Sequence, residues 1–282
     1  MGHLLRSYGC FPPKILNPVR YLLPFLFGFA SCFSAKIGPV QSDSQPISHQ
    51  IWDDLLQEHV TPEGYVDYAG LQRDSVRFRQ YLNLLSQGHP NDSNWTQREQ
   101  LAYWYNAYNA FTVQLILDHY PVNSIKDIKS GVPGLNTVWD IKFIRIEGRE
   151  YDLNNLEHGI VRPNFNEPRS HFALNCASIS CPSLRNEAYV ADRLDAQLDD
   201  QARVFLADPK KNFISPDAIN VSKLFSWYGG DFTQDTDLIA YLNQYAPVRI
   251  QPDAKVNHTA YLWGLNTAAN YAQTPNVARE DL

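Results

Sequence analysis

Cysteine is scarce in this sequence, with four in 282 residues, at positions 10, 32, 176 and 181. Methionine is scarcer: the single Met stands against 16 Tyr, 14 Phe and 6 Trp, which points to a rigid aromatic interior. Positive charge is short as well. Lys and Arg number 24 against 30 Asp and Glu, and the formal net charge is −6. An acidic chain of this kind argues against nucleic acid or anionic lipid as partner. Long apolar runs are also missing, and the stretch at residues 21–33 is too short for a comfortable membrane span.

What is present at the start has a pattern of its own. Arg6, Lys14 and Arg20 precede the 21–33 run, and Ser34-Ala35 follows it. A charged front, an apolar centre and a small-residue exit predict a secretory signal over residues 1–35, with an uncleaved anchor as the alternative. Phe29-Ala30-Ser31-Cys32 also resembles an imperfect lipobox, in which Cys32 would carry the lipid. Either leader predicts export to the periplasm or outer envelope, with membrane contact only through the leader or a lipid anchor. Removing residues 1–35 takes away three positive charges and no acids, which leaves 21 Lys and Arg against 30 acids. The expected partner is an envelope or extracellular ligand. The folded part then owns only Cys176 and Cys181, which in an oxidising compartment are a disulfide or a protected thiol with a companion.

Residues 36–49 are Ser/Pro/Gln-rich and read as a linker. Residues 51–60 and 73–86 have helical apolar spacing. Thr96-Gln97-Arg98-Glu99 is a capping box that opens a long helix running to His119. Residues 141–146 and 149–153, split by Glu147-Gly148, read as a β-hairpin, and Asn154 or Asn155 can cap a brief helix after it. The short apolar run Phe172-Ala173-Leu174 reads as a buried strand. A helix is expected over 190–207, a hairpin over 212–220, a helix over 237–245 and a strand over 248–256, with a frayed tail from 271 to 282. No internal repeat and no Pro/Ser-rich linker divides residues 50–270, so the expected fold is a single α+β domain of several helices packed on a small, mostly antiparallel sheet.

Several segments together resemble the DUF547 domain family. They are Trp104-Tyr105-Asn106-Ala107-Tyr108-Asn109-Ala110, Leu156-Glu157-His158-Gly159-Ile160, His171-Phe172-Ala173-Leu174-Asn175-Cys176 with Ser180-Cys181-Pro182, Leu224-Phe225-Ser226-Trp227-Tyr228 with Asp231-Phe232, and residues 261–266. The resemblance covers residues 95–232 most closely. It implies family membership and no reaction, because the family has no assigned function. Trp263-Gly264 departs from the family pattern, so the C-terminal patch is left out of the expected site.

The groups able to do nucleophilic or acid–base work are Cys176, Cys181, His158, His171 and Glu157. A thiol hydrolase needs a thiolate, a base and an orienting group. Cys176 is the expected nucleophile and His158 the base, with Cys181 and His171 as their alternates and Asn175 as polar support. Glu157 would point about 100° away from His158 on an α-helix, so it is grouped with Asn106, Asn109, Trp227 and Tyr228 as substrate-binding. Each assignment has a plainer counterpart. The asparagines can hold neighbouring loops, and the aromatic residues around Lys223 and Asp231 can be core. Cys176 and Cys181 can form a structural disulfide in a non-enzymatic binding domain. Cys and His are suitable zinc ligands, but the spacing fits no common module, so no metal and no cofactor are expected.

Overall fold

Thr96 and Glu99 close the capping box the sequence predicts, and helix α4 (Gln97–Leu117) grows from it. The Thr96 N–H donates to Glu99 at 2.7 Å, and the Glu99 N–H donates to the Thr96 hydroxyl at 3.3 Å. From Leu101 to Val113 every residue of α4 is buried, so the helix is covered on all sides. In this computed structural model, which describes residues 40–129, 131 and 136–278, the other elements are arranged around it. Those residues belong to one compact unit, Ser34–Leu282. The leader expected over residues 1–35 lies outside the described residues.

Helices α1 (Gln50–His59), α2 (Tyr68–Arg73) and α3 (Ser75–Gln87) surround α4 through Trp52, Tyr68, Phe78 and Tyr81. The segment before α1, read as linker, is in contact with this core. Ser44 donates to His89 O at 2.6 Å and accepts at its carbonyl from Trp95 Nε1 at 2.9 Å and Asn91 Nδ2 at 3.0 Å. Strands β1 (Ile144–Ile146) and β2 (Arg149–Tyr151) form the expected antiparallel hairpin. Glu147 at φ 47° and Gly148 at φ 75° supply the two left-handed residues of its tight turn.

After β2 the chain forms a π-helical segment, Asn155–Val161, that runs on into α5 (Arg162–Asn164). Its cap is Asp152 rather than Asn154 or Asn155: the Asp152 carboxylate accepts from Asn155 N at 2.6 Å. A second aromatic cluster, built on Phe172, Phe205, Phe225 and Phe232, joins α6 (Ser170–Ala173) and α7 (Leu194–Ala207) to a small sheet. That sheet runs β3-β4-β5, with β3 (Phe213–Ile214) antiparallel to β4 (Ala218–Val221) and β5 (Lys255–His258) parallel to it. Helices α8 (Leu224–Trp227), α9 (Gly229–Phe232) and α10 (Leu238–Leu242) complete the cluster.

Two expected strands change. Phe172-Ala173-Leu174 is part of a helical turn: Phe172 N donates to Arg169 O at 2.9 Å and Leu174 N to Ser170 O at 3.1 Å, so these groups need no neighbouring strand. The 248–256 strand shrinks to β5. Helix α11 (Ala268–Gln273) ends the described chain, and Val277 N donates to Pro209 O at 2.7 Å within the stretch expected to fray. The α+β class and the small, mostly antiparallel sheets stand as expected. Among the described residues no helix is long and apolar enough to cross a membrane.

Candidate functional site

The His171–Pro182 segment lies on the seam between the two clusters. Phe172 packs in the second, while Ala173, Leu174 and Ala177 pack in the first. Two buried α4 asparagines hold the neighbouring loops. The Asn109 side chain donates to Ala173 O at 2.9 Å and accepts from Asn175 N at 2.8 Å. The Asn106 side chain donates to Tyr189 O at 2.8 Å and accepts from Tyr189 N at 3.0 Å. The Asn109 amide thus ties the turn at Ala173 to the loop at Asn175, and the Asn106 amide fixes the main chain at Tyr189.

Asn175 closes the loop from within. Its Nδ2 donates to Pro182 O at 2.7 Å, and its Oδ1 accepts from Ala177 N at 3.0 Å and from Asn266 Nδ2 at 3.3 Å. Ala177 is held at φ 59°, a left-handed conformation that costs a residue with a Cβ. The loop is also joined to the C-terminal patch. Ile179 N donates to Gly264 O at 2.9 Å, and Leu262 N donates to the Ser180 hydroxyl at 2.9 Å.

This scaffold presents Cys176, part exposed, beside a buried Cys181, and both are free thiols. The Cys176 sulfur lies 3.2 Å from the Ser178 hydroxyl and 3.3 Å from the Tyr261 hydroxyl. Its backbone N–H donates to Cys181 Sγ at 2.9 Å. The Cys181 thiol, followed by the Ser178 and Tyr261 hydroxyls, holds the Cys176 thiol below its ordinary pKa against the opposing effect of burial. Burial, and then Cys176, push Cys181 well above the ordinary value, so Cys181 keeps its proton. Burial likewise keeps the Tyr261 phenol protonated and able to donate. The cluster is built to carry negative charge on one sulfur.

A second group of side chains faces it. The π-helical turn advances fewer degrees per residue than an α-helix, and His158 Nε2 lies 3.9 Å from Glu157 Oε1. On the other side of the ring, the Arg162 guanidinium lies 3.1 Å from His158 Nδ1. A guanidinium only donates, so Nδ1 accepts and a neutral ring carries its proton on Nε2, toward Glu157. Burial lowers the His158 pKa and keeps the ring neutral. Arg162 also donates twice to Asp231, at 2.7 and 2.9 Å, and His171 Nε2 lies 2.7 Å from the same carboxylate. Hydrogen bonding to His171, then to Arg162, holds Asp231 well below the usual carboxylate range. Tyr228 stacks on His171 at 3.9 Å between centroids, and burial followed by the charge of Glu157 pushes its phenol up.

Residues 93–206 match the family described as protein of unknown function, DUF547. These residues are a DUF547 domain. No curated protein and no solved structure matches the chain. The DUF547 match contains α4, Glu157, His158 and the cysteine loop, and it ends before Tyr228, Asp231 and Tyr261. The site described above therefore draws on residues beyond the matched stretch.

The expected residues divide into groups within the structure. Cys176 and Cys181 are adjacent, and Asn175, Asn106 and Asn109 are scaffold whose amides are engaged by the main chain. The pairing of Cys176 with a histidine is not formed: its sulfur has the Ser178 and Tyr261 hydroxyls as hydrogen-bond partners. His158 points its proton at Glu157, and His171 is committed to Asp231, so neither ring is placed as the base of Cys176. Glu157 is the carboxylate whose charge acts on the Cys176 thiol. Trp227 is 48% exposed, while Tyr228 is half-buried against His171. Ser178, Tyr261, Arg162 and Asp231 are residues the sequence reading left out of the site. A hydroxyl two residues after a candidate thiol is a readable signal for Ser178, whereas Tyr261 reaches Cys176 from 85 positions away.

Glu58, His59 and Asp74 bring ligand-type atoms within 4.8 Å of one another. Arg77 already supplies a cation there, 2.7 Å from Glu58 and 3.7 Å from Asp74. A cleft of about 1070 Å³ opens elsewhere, between residues 40–43 and 89–93, and holds none of the site groups.

Proposed function

We propose that this DUF547 chain is a thiol-dependent hydrolase or transferase acting on amide or peptide-like material of the cell envelope, with Cys176 as nucleophile. The observation that carries the reading is the Cys176 thiol itself, part exposed and held below its ordinary pKa by Cys181, Ser178 and Tyr261. A lowered pKa enlarges the fraction of thiolate, which is the form that attacks a carbonyl carbon. The departing amine takes its proton from solvent, because the neutral His158 ring beside Glu157 has no acidic proton to give. Water or a second amine then takes the acyl group from sulfur. The leader pattern at residues 1–35 and the acidic body support export, with residues 50–270 as the working domain and an envelope ligand as partner.

A second reading is a non-enzymatic envelope domain closed by a Cys176–Cys181 disulfide. It is favoured by the closeness of the two residues, since the Cys176 backbone N–H donates to Cys181 Sγ at 2.9 Å. One experiment separates the readings. The chain without residues 1–35, whose only cysteines are Cys176 and Cys181, is purified without reductant, treated with iodoacetamide and weighed intact. The nucleophile reading expects one added group, located at Cys176 and absent in Cys176→Ala. No added group and a mass short by two hydrogens until reductant is added would establish the disulfide and remove the nucleophile.

A further inference from the structure

The C-terminal patch adds something the cysteine loop alone does not. Tyr261, whose hydroxyl touches Cys176, belongs to an aromatic wall that continues outward from the thiol. Its ring centroid is 4.7 Å from Trp227 and 4.6 Å from Trp263, and Trp263 lies 5.5 Å from Trp139. The rings are splayed by 45° to 62° in these pairs and are not closed into a pocket. Trp227 at 48% and Leu262 at 40% are among the most exposed large apolar side chains of the described residues. Leaving such area in water forgoes burial energy, and a contiguous exposed patch of this kind marks a binding surface.

A separate observation lies next to Trp227. Gly229 and Gly230 open the four-residue helix α9. A Cβ at either position would meet no atom within 4 Å, and neither has the positive φ that calls for glycine. Packing and backbone conformation therefore give no reason for the pair, whereas a ligand lying flat beside Trp227 does.

The charges around the wall narrow the class of ligand. The Lys126 ammonium sits 4.5 Å over the Trp263 ring and repels a cationic ligand. The net charge of −6 repels a polyanion, so nucleotide bases are poor candidates for stacking here. An apolar side chain gains most in an enclosed pocket, which these rings do not form. A neutral sugar ring fits all three limits, because its C–H face meets the negative face of an indole while its hydroxyls stay in water.

We propose that Trp139, Trp227, Tyr261 and Trp263 bind the ring face of an N-acylated amino-sugar chain and so bring its amide to Cys176. The binding part stands alone, and only the role of the amide rests on the reading of Cys176 as nucleophile. The test titrates the full chain with the tetramer of N-acetylglucosamine, followed by indole fluorescence and calorimetry. The wild type is expected to bind, with a shift in indole emission and with Cys176 protected from iodoacetamide. Trp227→Ala is expected to weaken binding about tenfold. Gly230→Ala, whose added Cβ meets nothing within 4 Å in the free protein, is expected to weaken it as well. Absence of binding, or both variants binding as the wild type does, overturns the wall. The two readings can fail separately: binding with an ordinary, unprotected Cys176 thiol keeps the wall and removes the nucleophile. A reactive Cys176 with no binding does the reverse.

Discussion

Asn109→Leu is expected to destabilise the fold by about 3 kcal/mol and to return Cys176 to an ordinary thiol. The replacement is close in size, so little packing is lost. What is lost is a buried partner for Ala173 O and another for Asn175 N, the two groups that the Asn109 amide satisfies. Each buried polar group left without a partner costs roughly 1–3 kcal/mol. Asn175 N immediately precedes Cys176, so the same change loosens the loop that aims the thiol. Urea denaturation gives the first quantity from the midpoint and slope, and iodoacetamide kinetics give the second. A loss below about 1 kcal/mol together with an unchanged thiol would show that Asn109 does not hold the loop.

Asp231→Asn has the second large effect, and it depends on pH. In the native state Asp231 accepts from His171 and twice from Arg162, and its pKa is held down by them. A carboxylate whose folded pKa is depressed contributes stability above its unfolded value of about 3.9. That contribution is lost as pH falls toward the folded value, where both states are protonated. The variant is therefore expected to be less stable than the wild type by about 2 kcal/mol at neutral pH, since part of the pair is screened by solvent. The gap should close below about pH 4. Burial lowers the His158 pKa and the Asp231 charge partly offsets it, so the variant should move that ring further from protonation. Histidine resonances followed by NMR against pH would show this. A stability gap that stays constant through acid would remove Asp231 from this role.

The parts of the fold that were legible in the sequence are those built from local signals. The capping box at Thr96 and Glu99 announces α4, Glu147-Gly148 announces the β1–β2 hairpin, and the apolar face of residues 194–206 announces α7. The Phe172–Leu174 run was read as a strand because a three-residue apolar stretch has no period of its own. Its N–H groups bond back to Arg169 O and Ser170 O in a helical turn, and Asn109, far away in sequence, holds that turn at Ala173 O. The site shows the same division. Cys176, Cys181 and Glu157 could be picked out by residue type. The expected pairing of Cys176 with His158 depended on which ring nitrogen carries a proton, and Arg162 decides that in space. Tyr261 lies in a patch set aside for departing from the family pattern, yet its hydroxyl lies against Cys176.

The central claim is that Cys176 is a stabilised thiolate, and the pH dependence of its alkylation tests this directly. The rate of iodoacetamide addition to Cys176, located by peptide mass, is measured across pH in the wild type, Tyr261→Phe and Ser178→Ala. The expected midpoint lies below the ordinary thiol value of about 8.5, and Cys181 stays unlabelled throughout. Each variant removes one donor to the sulfur, so each should move the midpoint upward. A wild-type midpoint at or above about 8.5, unmoved by either substitution, would contradict the account.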